Sequence, residues 1–424
     1  MIRTIFNTIG LTRGTFSSGF IPIFAILVIS ILIITPKFNN IFFLMVFWGG
    51  FFLLNLFNLN RFNKKLKRLL FLGISFVIIC LIYTIFGLSS AKMGYSVLVP
   101  LVYFAPVLAL LIIDKCHNEQ QIRFLFHFIA LAVAINIADN IRISYDFGMD
   151  NVVFQRLGGM VEEAGNSESN FGGNQFVNMS VFYACIMFMA FLRSKEWIEK
   201  IVFGIYVCIS TYFIVMCTLK ASVVVISLIS FAMMYISYKS KENFDKMLFF
   251  IVIVGVLGIF FMNDIIYFLI DVIDSDRITE RLIIFTSEGD VTDSTSFMSR
   301  SNLWVLSIDS WLSSINSFFF GIGNHNQDDF MTIADSGIGN HSDFFDVLGR
   351  YGIIGAFILY SSIKVYYDYL KNKFGTYFEY EILSFLIVIL IMGITKRIIY
   401  PQSAIMFFVL FPLTLNFLSN KEHV

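Results

Sequence analysis

Charge is what this sequence has least of. Only 14% of its 424 residues are Asp, Glu, Lys or Arg, against roughly 25% in a soluble globular domain. The scarcity is organised: no charge at all occurs in 14–36, 38–60, 69–91, 93–113, 169–192, 201–219, 221–238 or 398–420. Each run is close to the roughly 20 residues that cross a bilayer as a helix. With 57% hydrophobic residues, 51 Phe and a mean hydropathy of +0.78, a soluble protein is excluded.

Other absences narrow the field. Ionisable residues are nearly missing from the centres of the apolar runs, where an ion-coupled transporter needs its coupling site. The five cysteines, Cys80, Cys116, Cys185, Cys208 and Cys217, fall in expected spans or, for Cys116, in a cytoplasmic loop. They do not pair within one outer loop and read as free thiols. There is no Walker loop, no G-x-G-x-x-G after a strand, no Cys/His zinc spacing, and no basic aromatic patch for nucleic acid. No internal repeat is visible, and no cleavage-type signal precedes the first span, which is expected to be retained.

What is present reads as an all-α, polytopic transmembrane helical bundle, a single integral membrane domain over 1–424. About twelve spans are expected, near 16–36, 40–58, 69–88, 96–113, 124–140, 176–192, 201–218, 221–238, 247–268, 343–367, 381–396 and 402–419. Lys and Arg set the orientation. With the cluster Arg61, Lys64, Lys65, Lys67 and Arg68 inside, 19 of the 30 positive residues are cytoplasmic and the other 11 are not. Both termini are then cytoplasmic. Two long outer loops remain, 139–175 and 269–342. The second carries short helices: "RSNLWVLSIDSWLSSINSFFFGIGN" has the apolar content of a helix at a membrane surface.

The ionisable residues gather at the outer face, above all in "GNHSDFFDVLGRYGIIG", 339–355. Asn340 or Ser342 can cap a helix starting there. At 100° per residue, Asp343, Asp346 and Arg350 fall within about 60° of one another, with Gly349, Gly352 and Gly355 opposite. One face is polar, and the other is a glycine seam for close helix packing. Asp346 and Arg350, spaced i, i+4, also read as a neutralising pair, and His341 as a plain loop histidine. Arg300, before the surface helix, also reads as a solvated loop cation, Lys220, in an outer turn, as a snorkelling anchor, and Arg156 in "QRLGG" stands similarly. Asp274 and Asp276 mimic a metal-binding D-x-D within a generally acidic loop, and Asp328 and Asp329 are similar.

These residues carry a resemblance. "FFFGIGN" followed by "NHSDFFDVLGRYGIIG" resembles the signature of the O-antigen polymerase and O-antigen ligase superfamily, in which G-x-G precedes His-Asn and a helix near "aryGiiG". "SRSNLW" resembles its Arg-x-x-x-Trp segment, and "TLKAS" stands where members commonly carry Ser-Arg-Gly or Ser-Arg-Thr. The chain departs from the pattern at Lys220, for arginine, and at Ser342, for the asparagine of His-Asn. The resemblance implies a polysaccharide polymerase of the bacterial inner membrane that acts at the periplasmic face. Its donor and acceptor would be undecaprenyl-diphosphate-linked oligosaccharides. Membrane lipids and a chain-length regulator would be further partners, with no nucleic acid, cofactor or metal. A ligase joining glycan to lipid A core is the near alternative, and a lipid-linked-oligosaccharide flippase or a membrane scaffold are more distant ones.

Carried over, the resemblance makes His341 and Arg300 catalytic and Lys220 substrate-binding. Asp343 orients His341 or acts as base in its place, and Arg156, Arg350 and Asn340 are further substrate-binding candidates. Guanidinium groups bind diphosphate oxygens bidentately, and imidazole titrates near working pH. Inversion at the anomeric carbon in one displacement is expected. Single cysteines introduced at positions 66 and 295 test the orientation: an impermeant maleimide should label the second from outside and not the first.

Overall fold

The computed structural model describes residues 20–34, 63–86, 100–146, 173–217, 221–239, 297–323 and 342–422, apart from 102 and 117, with isolated positions at 244, 246, 249 and 338. In chain order the helices are α1 (Phe20–Ile34), α2 (Lys64–Ile85), α3 (Pro106–Lys115), α4 (Glu119–Asp146), α5 (Gly173–Arg193) and α6 (Trp197–Tyr212). A π turn (Phe213–Cys217) extends α6, and α7 (Ala221–Lys239), α8 (Phe297–Leu312), α9 (Ile315–Phe320) and α10 (Asp343–Thr395) follow. The last span runs through α11 (Pro401–Ile405), a π turn (Met406–Leu410) and α12 (Phe411–Glu422). No strand occurs among the described residues.

Among those residues, six helices are long and apolar enough to cross a membrane: Lys64–Ile85, Glu119–Ile143, Phe176–Arg193, Trp197–Val215, Asp343–Thr395 and Pro401–Ser419. Their surfaces agree with that reading. Phe71, Ile74, Ile78, Ile82 and Ile85 are exposed along one side of α2, as are Ile198, Ile201 and Ile205 on α6. Apolar stripes of this length are rare on soluble monomers and belong against lipid. This is an all-helical membrane protein.

The helix 401–419 is the centre, with 94% of its most apolar window buried, against 22% for Trp197–Val215 at the rim. Phe411 stacks on Phe385, and Phe407 meets Phe385, Phe182 and Tyr103 edge to face. The π turn releases the Phe407 carbonyl, and the Tyr366 hydroxyl donates to it. In an apolar interior such a carbonyl needs a partner.

α10 differs most from expectation. Two spans, 343–367 and 381–396, were expected, and one 53-residue helical element holds both. A straight helix of that length would extend about 80 Å, yet the Asp343 amide donates to Lys396 O at 3.3 Å and Ser342 Oγ to Gly393 O at 3.1 Å. The element therefore folds back on itself. Its backbone leaves helical geometry at Gly352 (φ 61°, ψ −162°) and Phe378 (φ −128°, ψ 22°), giving arms a (343–351), b (353–377) and c (379–395). Arms b and c are antiparallel: Ser362 and Ile363 line one small cavity with Leu386 and Ile389. At the Phe378 turn Arg193 donates to Tyr377 O (3.2 Å), pairs with buried Glu381 and lies over the Phe378 ring.

Gly352 is a hinge and not part of a straight glycine seam. The chain bends sharply there, because the Phe344 and Tyr360 rings meet edge to face at 5.3 Å although sixteen helical residues would span about 24 Å. Across the bend, a Cβ on Gly355 would lie 2.3 Å from Tyr351 Cβ. A Cβ on Gly352 would meet the Phe319 carbonyl at 2.4 Å, and the backbone region it occupies is essentially confined to glycine. Gly352→Ala should lower stability by about 1–3 kcal/mol or abolish folded yield. Gly204→Ala, whose Cβ meets only Phe191 at 3.6 Å or more, should be near neutral in the same detergent melting assay.

Candidate functional site

The bend at Gly352 frees two carbonyls that an unbroken helix would have used, those of Gly349 and Arg350. The amides of Ile322 and Gly323 donate to them at 2.8 and 3.0 Å. The "GIG" turn after α9 is thus bonded backbone to backbone onto arm a. Such an approach leaves no space for side chains: a Cβ on Gly321 would lie 2.3 Å from the Arg350 carbonyl carbon. Gly321 has φ 74° and ψ −179°, again a glycine region. Tyr83 of α2 completes the joint, its hydroxyl donating to Phe320 O and its ring set edge-on to Tyr351 at 5.4 Å.

α8 and α9 form where a surface helix was expected, separated at Ser313–Ser314, where Ser314 caps α9 by accepting from the Ser317 amide at 3.0 Å. α8 lies along arm a. Ser307 Oγ donates to Asp346 Oδ1 at 2.8 Å, and Trp304 packs on Phe345 with ring centroids 5.8 Å apart. The two contacts come in the same order along both helices, so the first turn of α8 lies toward the Ser342 end of arm a.

That end is tightly tied. Ser342 caps arm a as expected, accepting from the Phe345 amide at 3.3 Å. Asp343 is buried, and its Oδ2 accepts from the amides of Ile398 and Ile399. The carboxylate thereby fastens the turn 396–400 beside the start of arm a, while Asn178 of α5 donates to Arg397 O at 2.7 Å. Asp346 is also buried, and its second oxygen accepts from the Ser342 amide at 3.3 Å. Among the described residues, then, Asp346 is bound by Ser307 and the Ser342 amide, and the i, i+4 pair with Arg350 that its spacing suggested does not form.

Of the residues singled out in the sequence, Asp343 and Arg350 are described, Arg350 half-buried at the bend. Arg300 lies in the first turn of α8, with its backbone described and its side chain not. His341, Asn340, Lys220 and Arg156 lie outside the described residues, as do Asp274, Asp276, Asp328 and Asp329. The structure brings together the elements carrying Arg300, Asp343 and Arg350. It also adds residues that spacing did not single out. Ser307 and Tyr83 hold the joint, and Lys396 and Arg397 follow arm c directly beside Asp343. For the last two a signal existed: adjacent cations between two apolar runs.

No protein-family model matches the chain, and no curated protein matches it.

The pairing of Asp346 makes a measurable distinction. Ser307→Ala and Asp346→Asn should each lower the melting temperature, and the double variant should lose clearly less than the sum, because contacting partners couple by about 0.5–3 kcal/mol. Asp346→Asn with Arg350→Gln should be additive.

Proposed function

We propose that this chain is a membrane glycosyltransferase that polymerises lipid-linked glycan repeat units. In this reading it spans the bacterial inner membrane about twelve times with both termini cytoplasmic, and the joint between the "GIG" turn and arm a faces the periplasm. The growing chain leaves undecaprenyl diphosphate for the next lipid-linked repeat. The observation that carries the reading is the backbone docking of Ile322 and Gly323 on Gly349 and Arg350. The two segments on which the resemblance rests are separate in sequence, yet they form one unit, and the helix bearing Arg300 is laid along it.

An acceptor hydroxyl attacks the anomeric carbon of the donor. The bond from that carbon to the diphosphate oxygen breaks, and undecaprenyl diphosphate departs with the electron pair. The acceptor's proton passes to His341. Arg300 and Lys220 meet the negative charge growing on the leaving group, where preorganised cations lower the barrier most. Asp343, held by the two amides, sets the position of the segment that contains His341. Direct displacement inverts the anomeric centre.

Arg300→Ala should abolish polymer, and Arg300→Lys should retain little, because a bidentate fork is lost even when charge is kept. Lys220→Arg should be tolerated, and His341→Ala should stop extension at normal protein level. In a deletion strain viewed on a polysaccharide gel, a single repeat on the acceptor means polymerase. Polymer made but never transferred to core means ligase, and unchanged glycan overturns both.

A further inference from the structure

α2 starts with charges of the wrong sign for a helix. Lys64, Lys65, Lys67 and Arg68 fall within its first five residues, and none of its 22 residues is acidic. The amino end of a helix is the positive pole of its macrodipole, so cations gathered there work against helix formation. Asn63 caps this end, accepting from the Lys65 amide at 2.9 Å, but adds no negative charge. The cluster is therefore not there to stabilise α2. Its members are placed differently. Lys65 and Lys67 are half-buried, and Lys65 Nζ donates to Asp368 O of arm b at 2.7 Å, joining the two elements. Lys64 and Arg68 are exposed. Among the described residues neither of these two side chains makes a hydrogen bond, ion pair or ring contact, with the Asp368 carboxylate or any other group.

These two cations head the lipid-facing side of α2. At 100° per residue, Lys64 and Arg68 fall within about 100° of arc with the exposed Phe71, Ile78, Ile82 and Ile85. The apolar part of that stripe, Phe71 to Ile85, runs about 21 Å, and Arg68 and then Lys64 follow at successive turns, where hydrocarbon gives way to headgroups. We infer that Lys64 and Arg68 bind the headgroup of an anionic phospholipid whose acyl chains lie along this stripe. The guanidinium fork matches two phosphate oxygens, and the ammonium adds a point charge beside it. A zwitterionic headgroup brings its own ammonium, for which α2 has no carboxylate, so charge complementarity selects a lipid with net negative charge. The assignment stands apart from the glycosyl-transfer reading. Cations that only orient the chain during insertion make a different demand, because they require no particular headgroup once the protein is folded.

The test uses the purified full chain in a neutral detergent. Its melting temperature is followed while phosphatidylglycerol, phosphatidylcholine of the same acyl chains, or inorganic phosphate is added, since a ligand of the folded state raises that temperature. Phosphatidylglycerol should stabilise the parent at lower concentration than phosphatidylcholine, and inorganic phosphate should do little. Lys64→Gln and Arg68→Gln should each raise the phosphatidylglycerol concentration at half-effect by about fivefold, and the double variant by more. Each shift is read against the variant's own melting temperature without lipid, so a loss of intrinsic stability does not obscure it. Lys200→Gln removes an exposed cation on α6, close in sequence to Glu196 and Glu199, and should respond as the parent does. Equal responses to the two lipids, or none to phosphatidylglycerol, overturn the assignment. So does a double variant that responds like the parent, which leaves Lys64 and Arg68 as orientation signals only. Inorganic phosphate as effective as phosphatidylglycerol marks a simple anion site, and an equal loss in Lys200→Gln marks diffuse surface charge. Either result refutes the lipid site.

Discussion

A backbone carbonyl released inside an apolar bundle must find a donor, and the first arm of α10 is arranged around two such carbonyls. The bend at Gly352 strips Gly349 and Arg350 of their helical partners, and Ile322 and Gly323 supply replacements from a segment far away in sequence. An unsatisfied group in hydrocarbon costs several kcal/mol, so bend and turn stabilise each other. Through that exchange α8 and α9 become a fixed part of the bundle. The glycines at 321 and 352 are what permit the backbones to approach so closely.

The same rule recurs at three other departures from regular helix geometry. At the Phe378 turn Arg193 covers the Tyr377 carbonyl, at the central π turn Tyr366 covers Phe407, and beyond arm c Asn178 covers Arg397. In each case the polar group reaches across from a neighbouring helix, so a local irregularity becomes an interhelical bond. The two ends of α10 differ in chemistry. The Phe378 end is closed by ion pairs, Arg193 with Glu381 and Lys373 with Asp114. At the opposite end the carboxylates of Asp343 and Asp346 are bound by backbone amides and a serine.

Much of the local structure could be read from residue order. The spans expected at 69–88, 176–192 and 402–419 follow from uninterrupted apolar length and fall within the helices Lys64–Ile85, Phe176–Arg193 and Pro401–Ser419 or within three residues of their ends. The start of arm a follows from the Ser342 cap, and the α8–α9 helices from apolar content in an otherwise polar loop. The glycines of "GRYGIIG" do mark close approach. Periodicity assumed an unbroken helix, however, and so placed them on one seam. A positive φ leaves no mark on spacing. The Asp346–Arg350 pair failed for a related reason: i, i+4 geometry makes a partner available, but Ser307 of another helix was nearer to the carboxylate.

Composition and patterning alone determined that the chain lies in a membrane as helices and that its polar residues collect where one span begins, because hydrophobic length and capping are properties of contiguous residues. The tertiary structure decided what those polar residues touch. Asp343 spans 55 residues to reach the Ile398 amide, and Ile322 reaches Gly349 from outside the span altogether. Contacts of that kind depend on where α10 folds back and how α8 lies along it. Both are set by the need to pair every buried backbone group, a requirement that acts between elements and leaves no pattern within any one of them.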